Sequence, residues 1–201
     1  RKLYGFDKPP HERFLHMLGQ YARFDLGRSF FHNKDVWQLI LEKLPVSISL
    51  GLWTFLLVYL ISIPLGIAKA VRAGTRFDTV TTFIVLLGYA IPSFVMGVAL
   101  LVLFAGGSFV QWFPLRGLTS LNWHEMSLIG KITDYFWHIA LPVASMVLGG
   151  FAVITILTKN SVLEEIRKHY VLTARAKGVD ERKVLWKHVF RNAMIPIMTG
   201  F

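Results

Sequence analysis

Residues 46–68, 79–105 and 138–158 contain no Lys, Arg, Asp or Glu, although the sequence carries 22 basic and 12 acidic residues elsewhere. As helices these runs would be about 34, 40 and 32 Å long, against a bilayer hydrocarbon core of about 30 Å. A single charge at the centre of such a segment costs about 2.5–3.5 kcal/mol on insertion. Lipid offers the backbone no hydrogen-bond partners, so each run must satisfy its own N–H and C=O groups as a helix. The mean hydropathy of +0.50 and the net charge of +10 coexist because the charge is segregated into the intervening segments. The fold expected is all-α: a polytopic transmembrane bundle with at least three spans. Another apolar stretch starts at Ala193 and is too short to cross, so the chain is expected to be a fragment of a longer subunit.

Proline and glycine punctuate these runs. Pro45 suits the first turn of a span beginning at Val46, Pro64 falls near that span's end, and Pro142 suits the first turn of the third. Pro92 lies mid-depth in the second run, where the loss of one ladder hydrogen bond predicts a kink. Tyr89, Pro92, Phe94 and Met96 around it are candidates for lining a substrate pathway, the competing reading being packing or lipid-facing positions. Gly149-Gly150 predicts a close helix contact.

Basic residues set orientation. The segment 69–78 has three basic residues and one acidic, and 159–192 has nine and four. Two helices separate these segments, so they share a face, which their charge makes cytoplasmic. The segment 1–45 then lies outside with eight basic and five acidic residues, so the rule alone decides weakly. Within it, Phe14, Leu18 and Tyr21 fall at i, i+4 and i+7, with Leu15 and Met17 widening the apolar side, which predicts a short helix at the membrane interface.

The segment 159–192 reads as two helices joined by a turn. Ser161 with Glu164 three residues on forms a capping-box pattern, which predicts a helix from about Ser161 to Lys177. Gly178 is the expected left-handed residue that ends it, and Asp180 caps a second helix through Val184, Leu185, Val189 and Phe190. A DNA-reading helix-turn-helix shares this pattern, but a recognition helix tethered between two spans could hardly enter a major groove.

The run Tyr170-Val-Leu-Thr-Ala-Arg-Ala-Lys-Gly178, followed by Arg191-Asn192-Ala193 and Pro196, resembles the cytoplasmic coupling loop of ABC-transporter permeases. The branch it resembles imports dipeptides and oligopeptides. The likeness continues through Phe24-Asp-Leu-Gly27-Arg-Ser29, Leu44-Pro45, Ile63-Pro64-Leu-Gly66, Ile91-Pro-Ser-Phe94, Phe113-Pro114, Gly117 and His138-Ile-Ala-Leu-Pro142. Where the wider superfamily has a Glu six residues before the loop glycine, this chain has Leu172, as the peptide branch does.

The resemblance implies a type I importer permease, multi-pass in the bacterial inner membrane. Residues 1–45 would be its extracytoplasmic segment, 46–201 its permease core and 159–192 its coupling loop. It further implies a second permease subunit, two cytoplasmic ATPase subunits carrying ATP and Mg, and an extracytoplasmic solute-binding protein. The ATPase-coupling residues it implies are Tyr170, Thr173, Ala174, Arg175, Ala176, Lys177 and Gly178. In that role Ala174 permits close approach, Gly178 sets the turn, and Arg175 and Lys177 meet acidic or backbone acceptors.

The chain's own chemistry is sparse. It has no Gly-x-x-x-x-Gly-Lys-Ser/Thr phosphate loop, so no ATP site is expected here, and no cysteine. His11 and His16 stand at i and i+5, about 140° apart on a helix, and cannot share a metal. His138, at the edge of the third run, is read as an interfacial residue. No carboxylate or basic residue lies inside a run to serve as an ion relay. The alternative function is a membrane-tethered regulator or intramembrane enzyme that uses the basic loop to bind lipid or nucleic acid.

Overall fold

The computed structural model describes residues 9–199, so the calls that fall on residues 1–8, 200 and 201 lie outside it. The chain divides into two compact units, Arg1–Ile48 and Ser49–Phe201. Apart from one isolated bridge between Arg28 and Asp35, the described residues are helices and their connections.

In the first unit, α1 (Pro10–Tyr21) opens with proline at its first position, where no N–H is needed. Phe14, Leu15, Met17, Leu18 and Tyr21 are all exposed on it. The following loop contains the run Phe24 to Ser29. Phe24 and Gly27 adopt φ of 59° and 67°, the Gly27 N–H bonds the Asp25 carboxylate at 3.0 Å, and Trp37 Nε1 donates to the Phe24 carbonyl. Asp35 accepts from the Trp37 N–H at 2.8 Å and so caps α2 (Val36–Val71). The first span's helix therefore starts ten residues before Val46. Pro45 lies within it rather than in its first turn, because the Asp35 cap had already nucleated the helix.

The second unit holds the rest of α2, then α3 (Arg76–Ala90), α4 (Ser93–Phe104), α5 (Leu128–Ile166), α6 (His169–Ala176) and α7 (Glu181–Lys183). A π-helical segment, Val184–Val189, joins α7 to α8 (Phe190–Thr199). Two helices, α2 and α5, are long and apolar enough to cross a membrane. The second apolar run is broken: α3 and α4 meet at 88° across Ile91-Pro92. The kink expected at Pro92 is thus a full interruption, with Ile91 extended at ψ 117° as the residue before a proline prefers.

The helix α5 runs 39 residues from Ser127, whose side chain accepts from the Gly130 N–H. Pro142 consequently sits deep inside it, and not in a first turn. Around α5 the helices approach closely at small residues. A Cβ on Gly66 would lie 2.5 Å from Thr158 Cβ, and one on Gly149 would lie 3.3 Å from Ser93 Cβ. Gly150 meets Val58 in the same way, so the glycine pair makes the contact its sequence predicts. Ser62 Oγ donates to the Phe151 carbonyl at 2.9 Å, and Trp53 Nε1 to Tyr135 Oη at 3.0 Å. One core joins Val58 to Ile139, Val143 and Val147. A second gathers Ile67, Ala70, Val162, Val171, Val184, Val189 and Ala193 at the end of α5 that carries the basic loop.

Candidate coupling site at the end of α5

The helix predicted from Ser161 does not begin there. Ser161 is buried inside α5, which continues to Ile166, so tertiary packing overrides the local capping-box pattern. The chain breaks at Arg167-Lys168 and restarts as α6, eight residues long. Its end follows the sequence expectation. Gly178 has φ +76°, its N–H bonds the Arg175 carbonyl at 2.9 Å, and the Val179 N–H bonds the Ala174 carbonyl at 3.1 Å. These two bonds form a Schellman motif, closed by apolar packing of Ala174 and Val179 on one core. Asp180 then accepts from the Arg182 and Lys183 N–H groups at 3.0 and 3.3 Å, capping the next helix as expected. The π segment within that helix was not anticipated.

The two faces of α6 differ. Val171 is fully buried and Ala174 packs beside it. Tyr170 Oη donates to the Glu165 carboxylate at 2.5 Å and accepts from Asn192 Nδ2 at 3.1 Å, linking α6 to α5 and α8. Lys168 completes the group through an ion pair with Glu165. Burial, then the Glu165 carboxylate, push the Tyr170 phenol above its ordinary range, and Glu165 raises the Lys168 ammonium. These residues line a cavity of about 360 Å³ with Ser161 and Pro196.

Outward, α6 and its turn present Leu172, Thr173, Arg175, Ala176, Lys177 and Gly178. Arg175 pairs with Glu181 at 2.6 Å, which keeps its guanidinium charged. Of the seven residues singled out in the loop, Tyr170 and Ala174 therefore point into the protein's own packing, and the other five are exposed.

A second charged group, on the same side, carried no signal in the sequence beyond its contribution to topology. Lys69, only 1% exposed, reaches Asp78 at 3.1 Å and also donates to the Asp78 carbonyl, Thr81 Oγ1 and Thr82 Oγ1. Lys159 donates to both oxygens of the same carboxylate. Because Lys159 lies at the foot of α5 and the other two flank the α2–α3 turn, the segments 69–78 and 159–192 share one face, as the charge argument requires.

Among the pathway candidates, Phe94 lines a cavity of about 370 Å³ between α4 and α5 together with Gly97, Pro142, Ser145 and Met146. Tyr89, Pro92 and Met96 are not among its lining residues. His138 is buried, with Nδ1 2.7 Å from the Asp134 carbonyl. No cluster of metal-binding side chains occurs among the described residues.

Residues 62–201 match the family described as the binding-protein-dependent transport system inner membrane component. The chain belongs to this family. It is 58% identical over 198 residues to the inner membrane ABC transporter permease protein YejB of Escherichia coli O157:H7, covering 98% of this chain and 54% of that protein. Over 200 residues it is 58% identical to the peptidoglycan transport system permease protein YejB of Agrobacterium fabrum, covering 100% and 55%. Against the oligopeptide transport system permease protein AppB of Bacillus subtilis the identity is 34%, covering 98% and 61%. The chain thus spans about half the length of these two YejB relatives. It is a multi-pass membrane protein of a transport family, which leaves the reading as a tethered regulator or intramembrane enzyme without support.

Proposed function

We propose that the chain is the membrane-spanning part of an ATP-driven importer for peptides or peptide-like solutes, and that α6 couples ATPase motion to the spans. Relatives named for peptide, oligopeptide and peptidoglycan transport support the solute class. ATP and Mg belong to two cytoplasmic ATPase subunits. A second permease subunit and a solute-binding protein complete the assembly.

The observation that carries the coupling role is the two-faced construction of α6. Its outer face, made by Leu172, Thr173, Arg175, Ala176 and Lys177, is exposed to meet an ATPase cleft. Its inner face is tied to α5 through Glu165 and to α8 through Asn192 by one phenol. A push on α6 is therefore shared between two helices rather than absorbed by a loose loop. Movement of α5 reaches the broken second span where Gly149 meets Ser93, so closure of the ATPases can shift the Pro92 break and alternate access. Ala174 serves this lever by its fit to the core, and Gly178 by fixing the turn.

Peptide uptake by the whole transporter in proteoliposomes tests this reading. With Gly178→Val, uptake is expected to fall to background while the subunit still inserts and spans. Uptake at the unsubstituted rate overturns the coupling assignment.

A further inference from the structure

Three helices meet on one carboxylate, and the two lysines that reach it hold it in different ways. Lys69, near the end of α2, donates to the Asp78 carbonyl, Thr81 Oγ1 and Thr82 Oγ1 at 2.9, 2.8 and 2.7 Å, and lies 3.1 Å from the Asp78 carboxylate. All of these acceptors belong to the first two turns of α3, so Lys69 ties α2 to α3 at several points. Lys159, on α5, directs its hydrogen bonds among the described residues to the two carboxylate oxygens of Asp78, both at 2.7 Å. At this level α5 is thus attached to α3 by one side chain.

That asymmetry decides which contact yields when α5 moves. Opening the Lys159 contact leaves Asp78 paired with Lys69 and bonded to the Gly74 N–H at 3.2 Å, so the buried carboxylate keeps its counter-charge. Opening the Lys69 contact would strand an ammonium inside the fold. Lys159 is therefore the releasable partner. Packing on either side confines the motion. Next to Lys159, Thr158 is pressed on Gly66, where a Cβ would lie 2.5 Å away, so α5 has no slack against α2. At the other end of α3, a Cβ on Gly88 would lie 3.4 Å from the Phe151 ring and 3.5 Å from the Leu148 carbonyl. The helix α3 is thus held to α5 by packing at Gly88, close to the Pro92 break, and by the ion pair at Asp78.

We propose that Lys159 is a positioning residue whose pair with Asp78 latches α3 to α5 in this conformation and opens once in each transport cycle. With the latch open, α3 tilts about its packed end at Gly88, and the angle at the Pro92 break changes. The latch deepens the coupling reading and rests on it: α6 passes motion to α5, and Lys159 sets where that motion is released into the second span. Gly178→Val reports on α6 and not on the latch, so the two readings fail separately.

Hydrogen exchange in the whole transporter, in nanodiscs, nucleotide-free and trapped with ATP and vanadate, tests it. Exchange across residues 74–82 is expected to differ about fivefold between the two states of the unsubstituted transporter. Lys159→Gln should give the faster rate in both states, raise ATP hydrolysis in the absence of solute about fivefold and lower peptide uptake per ATP. Lys159→Arg, which keeps the charge and can reach both carboxylate oxygens, should restore the response to nucleotide. Equal exchange in the two states of the unsubstituted transporter overturns the proposal. So does a Lys159→Gln transporter whose exchange still responds to nucleotide, which assigns the pair to stability alone. If Lys159→Gln fails to assemble, the two states of the unsubstituted and Lys159→Arg transporters decide, and equal exchange in either overturns the latch.

Discussion

Lys159 donates to both carboxylate oxygens of Asp78, each at 2.7 Å, across 81 residues of sequence. The bond joins the foot of α5 to the first turn of α3, and through Lys69 to the end of α2. Two ammonium groups thus share one carboxylate, with Lys69 buried and Lys159 partly exposed.

Removing that carboxylate leaves the buried Lys69 ammonium without a counter-charge. Asp78→Ala is expected to destabilise the subunit by about 3 kcal/mol, read as a lowered melting temperature in detergent. Adding Lys69→Met to the same chain should recover part of the loss, because the uncompensated charge is then gone. A melting temperature unaffected by Asp78→Ala would show that the three helix ends are held by other contacts.

Gly66 faces Thr158 with no room for a methyl group, since its Cβ would fall 2.5 Å from Thr158 Cβ and 2.8 Å from the Thr155 carbonyl. Gly66→Ala should therefore force α2 from α5 at a cost of about 1–3 kcal/mol. Gly51 lies in the same helix with nothing within 4 Å. Gly51→Ala should leave the melting temperature unchanged or slightly raised, so the pair separates helix propensity from packing.

Tyr170→Phe removes a donor to Glu165 and an acceptor for Asn192 while keeping the ring. Hydrogen exchange across α6 should accelerate about tenfold, with exchange in the middle of α5 unaffected.

The same phenol predicts a pH dependence. Its folded value is raised above 10.0, so the folded state holds the proton more tightly than the unfolded chain. The contribution is complete below about pH 10 and is lost as pH rises through the folded value. Protection of α6 should decline in that window, and Tyr170→Phe should remove that phase of the decline.

Features whose cause is local were legible in the sequence. Pro92 lacks a donor wherever it sits in a helix, Gly178 is the residue suited to a left-handed turn, and Asp180 precedes two backbone donors that it can cap. Features decided by tertiary contact were not legible. Ser161 and Glu164 have the spacing of a helix start, yet burial of Ser161 in α5 keeps the helix running to Ile166. Pro45 and Pro142 look like first-turn prolines, but the caps at Asp35 and Ser127 had set earlier starts. The meeting of Lys69, Asp78 and Lys159 leaves no periodic trace because its partners come from three helices. Ala174 illustrates the remaining ambiguity: a small residue on a short helix fits a docking surface or an internal contact equally well, and only the packing of Val171 beside it shows which side faces in.

The coupling role of α6 is tested most directly by cross-linking, for which residues 1–201 hold no competing cysteine. In the assembled transporter, Ala176→Cys, on the outer face of α6, is expected to cross-link to an ATPase subunit through a short bifunctional reagent. Leu121→Cys, in the loop at the other end of α5, is expected not to. Solute-loaded binding protein and ATP should change the yield at position 176. No ATPase adduct at position 176 in any nucleotide state, or an equal adduct at position 121, would contradict the account.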